Sequence, residues 1–303
     1  MAPKTQSSIA NPTWSNSPPR LYLETSLRLL IKLQPQKESP LIEIIRKLAE
    51  LVVLFDIRYP TLLNMVIELC IFDHLLIILK NPKTSTAIII QIFQTLGIII
   101  EGVTNSQIVY FLIETGYFNH VLSVPILINS DDELAAYYST FLKSLSFKIN
   151  QNTADYFISA DCKTFPLFSA ISSFFDSKDR MAQVALKSII LNMVKVKNQK
   201  IQTYITNVPN SESYFIFLMR QIREKHDDLV RTIADTKIIK SSKRALIIDI
   251  IEDHIEMLTF INDLLNLNDE VINQKLTEVF KERLIKYSYY HFITTGNTLT
   301  ASK

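Results

Sequence analysis

Several residues along this chain are of types that do chemistry, and their spacing tests what each could do. His74 follows Phe72 and Asp73, and His120 follows Phe118 and Asn119 in the same register. Paired imidazoles invite a metal reading, but a metal site needs several converging donors at defined spacing. The plainer reading is a histidine near a helix start that satisfies local backbone groups. Asp249, Glu252, Asp253 and Glu256 recur at helical spacing with His254 beside them. Paired carboxylates bind cations or move protons; the plainer reading is a solvated acidic face, whose like charges repel only slightly. Lys195, Lys197 and Lys200 close one helical pattern, where cations complement the helix dipole. The alternative is contact with anionic lipid headgroups. Lys237, Lys240, Lys243 and Arg244 form a second basic cluster, and clustered cations near an anionic membrane contribute about 1 kcal/mol each. These four are candidate lipid contacts. Cys162 adjoins Lys163, a neighbour of the kind that activates a thiol, although a single cysteine at a helix junction is ordinarily inert. Serine, histidine and acids are all present, but no serine sits among glycines in the strand-to-helix turn that a nucleophile elbow requires. No enzyme, metal or cofactor is expected.

Composition narrows the field further. The chain has 303 residues and only four glycines: Gly97, Gly102, Gly116 and Gly296. Average usage of about 7 % would supply roughly twenty. Phosphate-cradling loops and dinucleotide folds need clustered glycines where backbone approaches a ligand, so nucleotide and small-molecule substrates are not expected. Thirty-two Lys+Arg against thirty Asp+Glu leave a formal charge of +2. Nucleic-acid binders carry a basic excess or stripe, so no nucleic-acid partner is expected. Two cysteines, Cys70 and Cys162, lie too far apart for a zinc module or a disulfide framework, which fits a reducing compartment. The first nineteen residues are polar and proline-rich and read as a disordered tail rather than a signal peptide. The most apolar stretch, TSTAIIIQIFQTLGIII, contains Gln91 and Gln94 and is shorter than the roughly 20 residues a membrane span needs. It reads as a core helix.

The elements that must position these residues are helical almost throughout. Leu41, Ile44, Ile45, Leu48, Leu51 and Val52 recur at helical spacing, behind Ser39 as cap and Pro40 in the first turn. Ser130 and Glu133 have the spacing of a capping box ahead of Leu134, Tyr138, Phe141, Leu142 and Leu145. An internal repeat is visible. Ile67-Glu68 leads to Phe72-Asp73-His74, and 46 residues later Ile113-Glu114 leads to Phe118-Asn119-His120. The same offset carries Tyr110-Phe111-Leu112 onto Tyr156-Phe157-Ile158. Armadillo and HEAT units repeat every ~40–47 residues and stack neighbours into one core. The fold class expected is therefore all-α, an armadillo/HEAT-like right-handed α-solenoid over about residues 20–208. Residues 209–243 read as a helix plus charged linker, the stretch 226–244 being charged and poorly periodic. Helices over 244–266 and 269–290 read as an antiparallel pair, with Asn268 or Asp269 capping the second and residues 293–303 fraying.

Three stretches resemble the FPL-domain family, a group of endosomal-maturation proteins and their plant relatives. They are SDDELAAYYSTFLKSLSFKIN at 130–150, TFPLFSAISSFF with Phe165-Pro166-Leu167, and IEDHIEMLTFINDLLNLNDEVINQKL at 251–276. The resemblance runs from about Leu21 to Tyr290. It implies a non-enzymatic, armadillo-like scaffold in endosomal–lysosomal (vacuolar) transport and autophagosome maturation. It further implies a cytoplasmic protein, peripheral on the cytosolic face of late endosome, lysosome and Golgi membranes. The partners it implies are vesicle-tethering or ubiquitin-ligase machinery. The alternatives are a scaffold or substrate-binding subunit of a ubiquitin ligase in mitophagy, and a generic armadillo-type adaptor. Family members are much longer, so roles housed in their C-terminal half are left out of the expectation. Within the first stretch, Lys143, Ser146, Lys148 and Asn150 are polar where packing does not require it, and they are the candidate partner-contact patch.

Overall fold

A computed structural model describes residues 19–32, 38–59, 63–104, 107–128, 131–207, 214–234 and 241–286. The described residues contain helices and turns and no strand. They form two compact units, Met1–Phe141 and Leu142–Lys303, whose boundary falls inside one helix.

The first unit holds α1 (Pro19–Lys32), α2 (Glu38–Arg58), α3 (Leu63–Glu68), α4 (Ile71–Lys80), α5 (Thr86–Gly102), α6 (Gln107–Glu114) and α7 (Tyr117–Leu122). It also holds most of α8 (Asp132–Ser146). The central contact is α2 on α5. The isoleucine-rich run is a core helix: Ile88, Ile92, Leu96 and Ile100 are fully buried, against Leu41, Ile45, Leu48 and Phe55 on α2. No helix among the described residues is long and apolar enough to cross a membrane. Buried polar groups lock the α2–α5 register. Thr95 Oγ1 donates to the Ile45 carbonyl at 3.2 Å, and Asp56 Oδ2 accepts from both the backbone N–H and the hydroxyl of Thr104 at 2.7 Å. Such groups cannot be abandoned without losing their full desolvation cost. Gly102 permits the close approach, because a Cβ there would stand 3.1 Å from Val53. Helix α2 starts at Glu38, so Ser39 lies inside its first turn rather than at its cap, and Pro40 sits in that first turn as expected.

The 46-residue repeat is a repeat of backbone geometry. Cys70, Gly116 and Cys162 all adopt left-handed conformations, with φ of 51°, 71° and 54°. Each closes the same tight turn: Cys70 N–H donates to the Ile67 carbonyl, Gly116 N–H to Ile113, and Cys162 N–H to Ser159. In the first two, the helix that follows reaches back, His74 N–H to the Cys70 carbonyl and His120 N–H to Gly116. His74 Nδ1 also lies 2.9 Å from the Cys70 carbonyl, so this histidine serves its own helix start.

Helix α8 opens one residue later than a box at Ser130 and Glu133 would place it. Ser130 lies outside the described residues, and Asp131 Oδ1 accepts from Leu134 N–H at 2.9 Å. Glu133 is exposed on the first turn. An aspartate competes well for this role because its carboxylate also opposes the positive helix start. Phe141 is buried where α8 meets Phe93 and Phe118, with ring centroids 5.2 and 6.3 Å away.

The second unit continues from Leu142 through α9 (Ala154–Phe157), α10 (Pro166–Ser172), α11 (Arg180–Lys195), α12 (Gln199–Thr206), α13 (Tyr214–Ala234), α14 (Ser241–Asn266) and α15 (Glu270–Phe280). The last helix runs on into a π-helical turn, Lys281–Ile285. Asp269 caps α15 by accepting from Ile272 N–H at 3.0 Å. Helix α14 packs on α11 and α13, and α15 on α12, α13 and α14. The expected linker over 226–244 is largely helix. Residues 226–234 complete α13, and 241–244 open α14. Its charges stabilise the helix locally, as in the Arg231–Asp228 pair at 2.6 Å, instead of breaking it. Residues 235–240 and the expected tails at 1–19 and 293–303 lie outside the described residues, except for Pro19, which opens α1 and so corrects the tail by one residue.

Candidate functional site

The end of α8 carries the polar patch singled out in the sequence, and its local structure explains each residue. Ser146 is fully buried. Its hydroxyl donates to the Lys143 carbonyl at 2.7 Å and accepts from Asn192 Nδ2 on α11 at 2.8 Å. A partner cannot reach this side chain, so Ser146 leaves the contact patch. It is a small polar residue because the backbone of α8 and the amide of α11 both need it. Asn150 is also engaged in the fold. Its Oδ1 accepts from the N–H groups of Asn152 and Thr153 at 2.8 and 3.2 Å. In return Thr153 Oγ1 accepts from Asn150 N–H at 2.9 Å and donates to the Lys148 carbonyl at 2.6 Å. This reciprocal arrangement ends α8 and starts α9. Lys143 and Lys148 are half-exposed, so their ammonium groups stay in reach of solvent.

Phe147, which the sequence reading passed over, is 61 % exposed between Ser146 and Lys148. It falls off the buried stripe of Leu134, Tyr138, Phe141, Leu142, Leu145 and Ile149, and that off-stripe position was the signal that could have found it. Beside it opens a pocket of about 330 Å³. It is lined by Ile149 and Val196, by Asn192, and by Phe147 and Lys195. An exposed aromatic flanked by cations next to a small amphipathic pocket is the composition of a protein-contact anchor.

The other candidates are used differently. Among the described residues no three His, Cys, Asp or Glu are placed to hold a metal ion. The acidic face of α14 is only partly solvated, for Glu256 pairs with Lys187 at 2.6 Å and Arg180 at 3.7 Å, and Asp253 with Lys225 at 2.5 Å. These pairs border a second cavity of about 620 Å³ between α11, α13 and α14, where Arg180, Lys187 and Lys225 are already matched by carboxylates. His254 faces His226 with ring centroids 6.4 Å apart. Burial, then the nearby His226 and Lys225, hold its pKa below the ordinary histidine value. Of the three lysines read as one helix end, only Lys195 belongs to α11. Lys197 is left-handed backbone ahead of α12, with Nζ donating to the Asn268 carbonyl at 3.4 Å, and Lys200 pairs with Asp155 at 3.0 Å. The Lys200 hydrogen bond holds the Asp155 carboxyl below its usual value. Lys163 pairs with Asp161 at 3.3 Å, so its ammonium is engaged by a carboxylate next to Cys162. Of the candidate lipid contacts, Lys237 and Lys240 lie outside the described residues, as does the side chain of Lys243; Arg244 is exposed.

The Phe165-Pro166-Leu167 tripeptide turns out to be packing. Pro166 takes the first position of α10, Phe165 and Leu167 are fully buried, and the Phe165 ring meets Tyr204 edge-on at 5.6 Å. This placement bears on identity, because residues 45–194, which include the tripeptide and most of the pocket, match the model of the FPL family, described as an uncharacterised conserved protein. The chain belongs to the FPL family. Human Protein CLEC16A is 30 % identical over 261 residues, 84 % of this chain and 24 % of that protein. The CLEC16A homolog of Drosophila melanogaster is 26 % identical over 277 residues, 90 % of this chain and 25 % of its own. Protein TRANSPARENT TESTA 9 of Arabidopsis thaliana is 25 % identical over 218 residues, 71 % of this chain and 26 % of its own. The chain thus spans about a quarter of the length of these relatives. No solved structure matches it.

Proposed function

We propose that this FPL chain is a non-enzymatic helical adaptor in endosomal–lysosomal (vacuolar) transport and autophagosome maturation. It acts through protein partners on the cytosolic face of late endosome, lysosome and Golgi membranes. The observation that carries the reading is the FPL relationship, running over 84 % of the chain in the alignment with human CLEC16A. The contact patch on this reading is Lys143, Phe147 and Lys148, around the pocket bounded by Ile149 and Lys195, and its partner is vesicle-tethering or ubiquitin-ligase machinery. The recurring left-handed turns at Cys70, Gly116 and Cys162 support stacking of the helical units as a right-handed armadillo/HEAT-like solenoid. The cluster at Lys237, Lys240, Lys243 and Arg244 adds a weak, salt-sensitive lipid attraction, since exposed charges are screened beyond about 8–10 Å at physiological ionic strength.

The test is proximity labelling in the native cell combined with gene deletion and rescue. Deletion slows endolysosomal cargo degradation and leaves immature autophagosomes. The wild-type chain restores both, while the Lys143→Glu/Lys148→Glu double variant folds normally but labels its partners weakly and rescues poorly. Normal cargo turnover in the deletion strain, with the protein labelling only nuclear or free cytosolic neighbours, would overturn the reading.

A further inference from the structure

Helix α14 is a 26-residue helix that buries little of its apolar surface. Met257, Phe260, Ile261 and Leu264, all in its C-terminal half, are its buried residues. Polar links hold it midway along its length, Lys225–Asp253 to α13 and Lys187–Glu256 to α11. On the opposite side Ile248, Ile251, Ile255 and Leu258 are 46, 39, 56 and 39 % exposed. Their spacing of three, four and three residues lines them up along one stripe. A helix with apolar residues on both sides is built for burial on both sides, and among the described residues one side is covered. The stripe has the a/d spacing of a helix–helix seam, with isoleucine and leucine where such seams place them.

Charge decides what kind of helix fits. Residues 245–274 contain no lysine or arginine and seven acids: Asp249, Glu252, Asp253, Glu256, Asp263, Asp269 and Glu270. Asp253 and Glu256 are paired within the unit, and Asp269 is buried at the α15 cap. Asp249, Glu252 and Asp263 are exposed. At about 100° per residue Glu252 and Asp263 fall on one edge of the stripe, roughly 40–60° past Ile248, while Asp249 stands further round towards the buried face. A second copy of this helix would bring acids to that edge, whereas lysine or arginine there meets opposite charge; Arg244, exposed four residues before Ile248, stands in line with the stripe at its N-terminal end. We infer that the Ile248–Ile251–Ile255–Leu258 face of α14 docks a partner helix whose apolar seam is edged by lysine or arginine. The surface lies outside the pocket at the end of α8, and the inference does not depend on the trafficking role.

The test uses the full chain and a fluorescein-labelled three-heptad peptide with leucine at a and d and lysine at the flanking positions. A matched peptide carries glutamate instead of lysine. Fluorescence anisotropy should show the lysine peptide binding at least about tenfold more tightly than the glutamate peptide, with the difference shrinking as salt rises. Ile251→Ser/Ile255→Ser should weaken binding by at least about tenfold, since the lost contacts are the seam itself. Ile77→Ser, at a more exposed isoleucine on α4, should leave binding unchanged. Glu252→Gln/Asp263→Asn should remove the preference for lysine while circular dichroism stays that of the wild type. Equal binding of the two peptides, or binding indifferent to Ile251→Ser/Ile255→Ser, overturns the inference. Sedimentation showing a dimer that those two substitutions dissolve would assign the face to a second copy. Phosphatidylserine vesicles captured through the same isoleucines would assign it to lipid. Either outcome also overturns the inference.

Discussion

Substituting the left-handed turn residues should shift stability in opposite directions at equivalent places in the repeat. Gly116 has φ 71°, and a Cβ added there meets nothing within 4 Å, so Gly116→Ala introduces backbone strain without a clash. The left-handed region costs a side-chain-bearing residue roughly 1–2 kcal/mol. Removing glycine also narrows the unfolded ensemble, which returns about 0.4–1 kcal/mol. The net expectation is a loss of about 0.5–1 kcal/mol. At Cys70 the same two terms act with signs reversed, because a cysteine already bears the strain at φ 51°. Its thiol makes only a long contact, Sγ to the Glu68 carbonyl at 3.8 Å, so little else is lost. Cys70→Gly should therefore stabilise by about 0.5 kcal/mol. Gly116→Asn is the control, since asparagine tolerates this region better than alanine. Urea unfolding followed by far-UV circular dichroism measures all three. The reasoning fails if Gly116→Ala is neutral or stabilising, or if Cys70→Gly lowers stability. The repeated turn would then be a tolerated feature and not a backbone requirement.

Two further perturbations follow from burial and charge. Phe141→Ala should cost about 3–5 kcal/mol, because the ring is buried against Phe93, Phe118 and Tyr138, whereas Lys148→Ala should stay within about 0.5 kcal/mol; thermal unfolding that ranks them the other way contradicts the assignment of faces on α8. The depressed His254 pKa makes the unfolded chain take up a proton before the folded one does. Stability attached to this group is therefore complete above the ordinary histidine value of about 6.5 and falls as pH drops below it. His254→Gln should flatten the acid side of a melting-temperature profile, and an unchanged profile would remove the group from the pH response.

What could be read from residue order was what depends on residues three or four apart. The stripe of Leu134, Tyr138, Phe141, Leu142 and Leu145 is a helix face whatever it packs on, and the apolar run at 88–100 is helical because its length and period leave no other choice. The 46-residue echo was visible for the same reason, since each unit repeats a local turn that only a left-handed residue can make. Family membership was legible too, through long stretches of matching order. Side-chain fate was not, because it depends on groups far along the chain. Ser146 looked like a surface hydroxyl until Asn192, 46 residues away, arrived over it. The acids of α14 looked solvated, yet two of them meet lysines contributed by α11 and α13. The stretch after His226 looked like a linker because its own apolar content is low, but Lys225 ties that helix to α14 and local ion pairs continue it. Phe147 and the outer face of α14 lie at the other extreme. Apolar periodicity marks a face as suited to burial, and whether a neighbour covers that face follows from how the helices pack around it.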